Sequence, residues 1–521
     1  MNRRAKTENG WVVGLPGSDT RITSFKGIPF AAPPVGKNRW RKPQPCANWE
    51  GDLQAYTFGP IGMHDKGKPG RDNIWSREWA VDYEIPMSED CLYLNIWAPA
   101  DGYPVGVGDQ YRETEDTPLP EPGNMPVYVW FFGGGFQVGH TAEMEFDGER
   151  LARRGIVVVT VNYRLNVFGF LSHPELTKEA PDAPTNFAFL DQQYGLQWVK
   201  RNISAFGGNP DNITIGGQSA GGMSVCAHLA NPDNEGLFQK AIIESGIFFP
   251  AYSNQNPFGI DLHTAEQRGV EFFEKLGVKT LEEARKIEAD VLLKKMMELP
   301  PMFFTVVSDR AYCKYMVNEW FLEPGHIKCP LFMSYTNNEM MLRPGAKNPE
   351  ELRALGEELN GVDAESFVRA FSGADNEEDI GAAGEISGTD LAVHTILRYT
   401  KEETPIWVAR FSAEIPGWDH PGAFHSSDLW FYFENFAKCW RPFNGKHYEL
   451  ARQMCDYWAN FIRNGDPNGK GTDWKMLPEW PRLTSKNPVR MEFDDHAHAV
   501  DDTPSPVQQV LTDGWLKAHQ E

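Results

Sequence analysis

A five-residue motif, Gly217-Gln-Ser-Ala-Gly221, places a serine hydroxyl between glycines in the spacing GxSxG. Glycines in these places let a strand and the following helix approach closely, so that the serine is held at the tip of a sharp turn. The N-terminus of such a helix favours negative charge that develops beside it. Ser219 is therefore a candidate nucleophile, although similar glycine-rich turns also join strands and helices without any catalytic role.

A second glycine run, Gly133-Gly-Gly-Phe136, follows directly on a short apolar stretch. Glycines leave backbone N–H groups open to an oxygen that carries developing negative charge. A phosphate-binding loop is another use of such a run, but it would need a Gly-Lys-Ser/Thr sequence that does not follow here. Gly134 and Gly135, with the N–H of Ala220 after the candidate nucleophile, are predicted to form an oxyanion hole of three donors.

Short apolar stretches bounded by turn residues predict the strands that must hold these motifs. We predict four such strands, at residues 126–132, 156–161, 212–216 and 330–335. Apolar residues at helical spacing in 191–201 and 222–230 predict helices between the strands, and hence βαβ units in a mainly parallel sheet. Residues 264–298 lack strand signals and predict a helical insertion. The polar stretch 100–125, rich in Pro and Gly, predicts a long surface loop.

The net charge and the hydropathy of the chain limit the kinds of molecule that it is expected to bind. The chain of 521 residues carries a formal net charge of −22. Nucleic acids and anionic membrane surfaces need clustered Lys and Arg, so neither is an expected partner. No apolar stretch reaches the roughly 18 residues of a membrane span, and the basic start of the chain lacks the apolar core of a signal peptide. We therefore expect either a protein that stays in the cytoplasm, which we favour, or one from which a leader has been removed.

The seven cysteines are widely spaced and include no CxxC pair. Their spacing therefore suggests neither a zinc site nor a redox motif. Free and mostly buried thiols are the expectation.

Further sequence blocks extend the pattern over nearly the whole chain. They are, in order, FKGIPFAAPPVG at 25–36, SEDCLYLNIW at 88–97, NYR at 162–164, DQ at 191–192, FGGNP at 206–210 and GDPN at 465–468. With this series the chain resembles the type-B carboxylesterase/lipase family, the group of cholinesterases and bacterial para-nitrobenzyl esterases. The resemblance implies an α/β-hydrolase fold, with a large, mainly parallel central sheet flanked by helices. We expect one domain over residues 1–521, with a helical cap insertion around 250–330 and a further helical insertion around 345–405.

The resemblance also selects two partners for Ser219. The family's acid follows a strand in a pattern close to Gly-x-Thr-x-x-Glu, which here is Ser334-Tyr-Thr-Asn-Asn-Glu339, with Ser in place of Gly. The family's base lies in a Gly-Ala-x-His block, which here ends at His425. An unpaired carboxylate after an apolar strand would be costly, and an imidazole is a suitable partner for it. The predicted triad is thus Ser219, Glu339 and His425, in the chain order of α/β-hydrolases.

Three more residues are assigned by the same resemblance to the polar surroundings of the triad. Ser245 and Asp428 match a network behind it. Gln218 stands before the nucleophile, where the family usually has Glu. This replacement removes one negative charge and weakens the case for a cationic substrate.

The cysteines depart from the pattern of secreted relatives. In those proteins the counterpart of Cys91 pairs with a cysteine about thirty residues upstream, at the place that Gly62 occupies here. Without that disulfide, the loop that carries Trp75 and Trp79 is predicted to be more mobile than the sheet. The missing partner favours a reducing compartment.

Together these features predict a serine carboxylesterase, which hydrolyses a small-molecule ester through an acyl-enzyme intermediate with a Ser-His-Glu triad. No metal ion and no organic cofactor is expected in the reaction. The alternative is a catalytically inactive adhesion or scaffold module of the cholinesterase-like kind, because a fold alone does not establish a function. Inactive relatives typically lose a member of the triad, whereas Ser219, Glu339 and His425 are all present here.

Overall fold

The computed structural model describes residues 3–67, 74–79, 84–100, 123–255, 258–400 and 404–520. Most of the predicted surface loop at 100–125 lies outside the described residues. The same is true of much of the loop around Trp75 and Trp79.

The described residues form strands throughout the chain, and most of the strands are short. They are β1 (Arg4–Lys6), β2 (Trp11–Val13), β3 (Leu15–Pro16), β4 (Ile22–Pro29), β5 (Asp52–Gln54), β6 (Tyr93–Pro99), β7 (Met125–Phe131), β8 (Val157–Val161), β9 (Gly208–Gln218), β10 (Lys240–Glu244), β11 (Ile260–Asp261), β12 (Val307–Ser308), β13 (Leu331–Thr336), β14 (Met341–Leu342), β15 (Ile386–Ser387), β16 (Ile406–Phe411), β17 (Val489–Phe493) and β18 (Ala497–Asp501).

Helices follow or separate most of these strands. They are α1 (Ile74–Glu78), α2 (Glu149–Ala152), α3 (Asn166–Phe170), α4 (Pro174–Glu179), α5 (Phe187–Asn202), α6 (Ala220–Ala230), α7 (Leu262–Leu276), α8 (Leu281–Ala284), α9 (Ala289–Met296), α10 (Pro349–Glu358), α11 (Ala364–Ala370), α12 (Glu377–Ala383), α13 (Gly388–Thr400), α14 (Leu429–Tyr432), α15 (Gly445–Asn464) and α16 (Pro506–Gln520).

A mixed sheet of 11 strands forms the centre, in the order β18-β17-β16-β13-β10-β9-β7-β8-β6-β4-β3. The strands from β17 to β8 run parallel, and the strands outside them at both ends pair antiparallel. The central strands β7, β8, β10 and β13 are buried along their whole length. Burial of both faces explains why their sequences are continuous apolar runs instead of alternating ones. The predicted α/β-hydrolase fold is confirmed.

The four predicted strands correspond to β7, β8, β9 and β13, and the two predicted helices to α5 and α6. Helices α7 to α9 lie in the first predicted insertion, and α10 to α13 lie in the second. The assignment of these helices to a cap over the site stays a prediction. Among the described residues, no helix is both long and apolar enough to cross a membrane.

Three adjacent parallel strands bring the candidate residues to one edge of the sheet. Gln218 at the end of β9 pairs in register with Glu244 at the end of β10, and Glu244 pairs with Ser334 of β13. Residues that follow these strands must therefore meet at the same edge. The same edge therefore holds the segments that carry Ser219 and Glu339, which are far apart in sequence.

All seven cysteines are free thiols, and five of them are buried. A Cβ atom added to Gly62 would lie 3.8 Å from Sγ of Cys91. Gly62 thus faces Cys91, at the place where the resemblance put the missing disulfide partner.

Candidate active site

The turn between β9 and α6 holds Ser219 in a strained backbone conformation, with φ +57° and ψ −124°. Its N–H donates to the carbonyl of Glu244 at 2.9 Å, which ties the turn to the neighbouring strand. A Cβ on Gly217 would lie 2.3 Å from the carbonyl of Gly221, and one on Gly221 would lie 2.0 Å from the carbonyl of Phe131. Both glycines of the motif are therefore required by close backbone approach, as a nucleophile elbow demands.

His425 and Glu339 form a direct pair. Nδ1 of His425 lies 2.5 Å from Oε1 of Glu339. On the other side of the ring, the side-chain nitrogen of Gln218 lies 3.2 Å from Nε2. The carboxylate selects the tautomer with its proton on Nδ1, because a carboxylate only accepts. Nε2 is then unprotonated, accepts from the Gln218 amide, and lies beside the residue that precedes Ser219.

The second carboxylate oxygen of Glu339 is fully occupied. Its Oε2 accepts from the Ser245 hydroxyl at 2.7 Å, from the Thr336 hydroxyl at 3.1 Å and from the Thr336 N–H at 3.2 Å. The side chain of Glu339 is completely buried. These donors therefore replace the water that the carboxylate has lost, and they fix its orientation toward His425.

Each member of the pair stabilises the charged form of the other. Burial alone would raise the pKa of Glu339, but the His425 imidazolium and the hydrogen bonds from His425, Ser245 and Thr336 outweigh burial and leave this pKa below its ordinary value. Burial would lower the pKa of His425, yet the Glu339 carboxylate raises it above the ordinary imidazole value. An ionised acid next to a basic imidazole is the state that general-base catalysis requires.

Asp428 acts on this pair through its charge and not through a hydrogen bond. Among the described residues its carboxyl oxygens have no side-chain partner, and only the backbone N–H groups of Asp428 and Leu429 approach them. Burial and the Glu339 carboxylate raise the pKa of Asp428 to about 7. Its negative charge contributes to the raised pKa of His425. Ser245, in contrast, contacts the acid directly.

The glycine run after β7 lies against the elbow. A Cβ on Gly133 would be 3.1 Å from Cβ of Ser219. Gly134 and Gly135 have φ of +103° and +62°, and a Cβ on Gly134 would be 2.2 Å from the carbonyl of Val138. In the part of the chain that the structure describes, the N–H groups of Gly134, Gly135 and Ala220 donate to no protein acceptor. They are therefore available to a ligand oxygen.

Sequence reasoning missed two residues that position the pair. Thr336 supplies two of the three hydrogen bonds to Oε2 of Glu339. Asn338 joins the two loops: its N–H donates to the carbonyl of Ala423 at 3.0 Å, and its Oδ1 accepts from the N–H of Ala423 at 2.8 Å. Both residues lie inside the pattern that identified Glu339. That pattern was the one sequence signal that could have pointed to them.

Comparison with known proteins decides the family. A model of the carboxylesterase family matches residues 2–383 and 386–510. The chain belongs to this family. This carboxylesterase is similar to the para-nitrobenzyl esterase of Bacillus subtilis (strain 168), with 32% identity over 502 residues that cover 92% of the chain and 93% of that protein. It is 30% identical to the fumonisin B1 esterase of Sphingopyxis macrogoltabida, over 93% of the chain and 85% of that protein.

Solved structures agree with this assignment. A PNB esterase structure matches the carboxylesterase with a TM-score of 0.75 and 28% identity, and covers 98% of this chain and 99% of that one. A carboxylesterase of Geobacillus stearothermophilus matches with a TM-score of 0.72 and 27% identity, covering 98% and 100%. The predicted family and the predicted carboxylesterase activity are confirmed.

Proposed function

We propose that this carboxylesterase hydrolyses small esters with Ser219 as nucleophile, His425 as general base and Glu339 as the acid of the triad. The observation that carries the proposal is the 2.5 Å contact of Glu339 with Nδ1 of His425, which keeps the ring proton on Nδ1 and makes Nε2, beside the elbow, the basic nitrogen of the ring. The strained turn at Ser219 supports the assignment, because strain of this kind is typical of nucleophile elbows.

Acylation begins when Ser219 Oγ attacks the acyl carbon of the ester while Nε2 of His425 takes the hydroxyl proton. The imidazolium that forms is stabilised by the ionised Glu339, which does not itself become protonated. His425 then gives the proton to the oxygen of the leaving alcohol, and the acyl-enzyme remains. Water deprotonated by His425 attacks the acyl-enzyme, and its collapse releases the acid and restores the serine.

The negative oxygen of each tetrahedral intermediate is assigned to the N–H groups of Gly134, Gly135 and Ala220. Donors of this kind are worth about 3 to 4 kcal/mol each in related chemistry, because they are already oriented when the charge develops. Their lack of protein acceptors in the described part of the chain supports this role.

The side chain of Gln218 affects which substrate charge the site would prefer. A neutral amide stands beside the base, where a carboxylate would attract a cationic alcohol group. We therefore propose neutral esters as the preferred substrates. Of the substrates that relatives are named for, a para-nitrobenzyl ester fits this proposal and acetylcholine does not.

A reducing compartment, and hence the cytoplasm, is proposed for the protein. Seven free thiols and the Gly62 that faces Cys91 support this assignment. Thiol titration of the denatured, unreduced protein purified from its natural host tests it: seven thiols are expected, and five would mean that one disulfide exists.

The mechanism is tested by labelling the purified chain with a fluorophosphonate and mapping the adduct by mass spectrometry, beside turnover of para-nitrophenyl acetate and butyrate. We expect one adduct, on Ser219, and loss of turnover with it. Labelling elsewhere would contradict the triad. Absence of both labelling and turnover in folded protein would instead favour the inactive-module alternative.

A further inference from the structure

A second cluster of ionisable side chains lies away from the triad, between α13, β13 and the segment before α16. It consists of Asp390 and His394, one turn apart on α13, and Asp502 after β18. Nε2 of His394 lies 3.5 Å from Oδ1 of Asp390 and 3.5 Å from Oδ2 of Asp502. The three ligand atoms all lie within 4.8 Å of one another. His394 and Asp502 are almost entirely buried.

These distances are too long for good hydrogen bonds, and none is formed. Oδ2 of Asp502 is buried and has no hydrogen-bond partner among the described residues. Such an orphaned oxygen is costly unless something else occupies the space in front of it. The three atoms lie close enough together for one ion to bind between them, since Zn²⁺ binds imidazole nitrogen and carboxylate oxygen at about 2 Å.

Other side chains hold the carboxylates in place. Oδ1 of Asp390 accepts from the Tyr335 hydroxyl at 2.8 Å, and its Oδ2 accepts from the Gln508 amide at 2.6 Å. Oδ1 of Asp502 pairs with Arg490. Metal-binding carboxylates are commonly oriented by partners of this kind, which fix the ligands before the ion arrives.

The charged groups around the cluster are compatible with a bound cation. Arg490 is shared between Asp502 and Glu492, and Arg410 also pairs with Glu492. The three carboxylates of Asp390, Asp502 and Glu492 lie around two guanidinium groups, so acidic groups outnumber arginines at the cluster.

We propose that Asp390, His394 and Asp502 form a structural site for a divalent transition metal of the zinc type. The ligands come from α13 and from the segment that leads into the C-terminal helix α16. The ion would therefore fasten the C-terminal segment to the domain, and through Tyr335 to β13. Its proposed ligands are not members of the triad, so the ion takes no part in ester cleavage.

The test is titration of the chelator-treated full-length chain with zinc chloride, followed by calorimetry and by thermal unfolding. The account predicts one saturable zinc per chain and a rise in the unfolding temperature on the order of a few degrees. His394→Gln should weaken zinc binding by about a hundredfold or more, while retained ester turnover shows that the variant is folded. Asp502→Asn, which keeps the shape, is the second variant and should have the same effect.

The exposed cluster Asp494, His496 and His498 supplies the matched control, since it offers the same donor types at the surface. His498→Gln should leave the buried site and the temperature rise unchanged. Zinc binding that survives His394→Gln and Asp502→Asn but is lost in His498→Gln would overturn the proposal. So would a wild-type chain that binds no zinc.

Discussion

The side-chain nitrogen of Gln218 lies 3.2 Å from Nε2 of His425, on the side of the ring opposite Glu339. The proposed base thus has a carboxylate at one nitrogen and a neutral amide at the other. Because Gln218 directly precedes Ser219, the same residue that shapes the elbow also contacts the base. A substitution of Gln218 alone should therefore change the pKa of His425.

Gln218→Glu should raise the pKa of His425, because a second carboxylate stabilises the imidazolium. A raised pKa keeps the base protonated to higher pH, so the acidic limb of kcat/KM should move upward by about one unit or more. The measurement is a pH profile with a neutral ester. Gln218→Asn is the neutral control and should leave the limb in place; an unshifted limb in the Glu variant would contradict the contact.

In the unmodified enzyme, activity should fall as the pH drops through a range above the ordinary imidazole value of about 6.5, since Glu339 raises the pKa of His425 despite its burial. Asp428→Asn removes a carboxyl group whose negative charge, present above its pKa of about 7, adds to this rise. In the pH profile of kcat/KM, the acidic limb of the variant should therefore lie at lower pH than that of the unmodified enzyme. A limb that stays in place, or moves upward, would rule out an electrostatic role for Asp428.

Glu339→Gln should lower kcat by about 10⁴-fold with little change in KM, because the amide can hold the imidazole in the wrong tautomer. Ser245→Ala, which removes one of the three hydrogen bonds to Oε2, should lower kcat by only about tenfold. Steady-state kinetics on both variants give the comparison. Equal losses, or a silent Glu339→Gln, would mean that the acid lies elsewhere.

Gly62→Cys should form a disulfide with Cys91 on mild oxidation, because a Cβ at this position points at Sγ from 3.8 Å. The oxidised variant should titrate two fewer thiols than it has cysteines. Closing a loop of this length would stabilise the fold by roughly 3 kcal/mol, which a reductant should remove. Gly62→Ser is the control without a second sulfur. If every thiol of the oxidised variant still titrates, the two positions do not face each other.

Much of the fold was predictable, because short stretches of the sequence indicate its strands and turns. The buried parallel strands are apolar runs that end at turns, and the elbow is a short motif between a strand and a helix. Strand ends were less accurate: β9 begins at Gly208, before the predicted start at 212, where pairing with β7 is irregular. That irregularity depends on the neighbouring strand, which local sequence cannot show.

The site was predictable only in part. Ser219 and the glycines follow from motifs, whereas Glu339 and His425 needed the resemblance to a family, because nothing in their spacing brings them together. The bridge from Asn338 to Ala423 and the contact of Gln218 with His425 depend on loop geometry. The same is true of the cluster around His394, because Asp502 lies more than one hundred residues from Asp390 and His394 in the sequence.

Ser219→Ala tests the central claim most directly, because it removes one oxygen atom and leaves the elbow intact. The account predicts a fall in kcat of about 10⁴- to 10⁶-fold on para-nitrophenyl butyrate, an unchanged unfolding temperature and no fluorophosphonate adduct. Turnover near that of the unmodified enzyme, or an adduct formed at another residue, would contradict it.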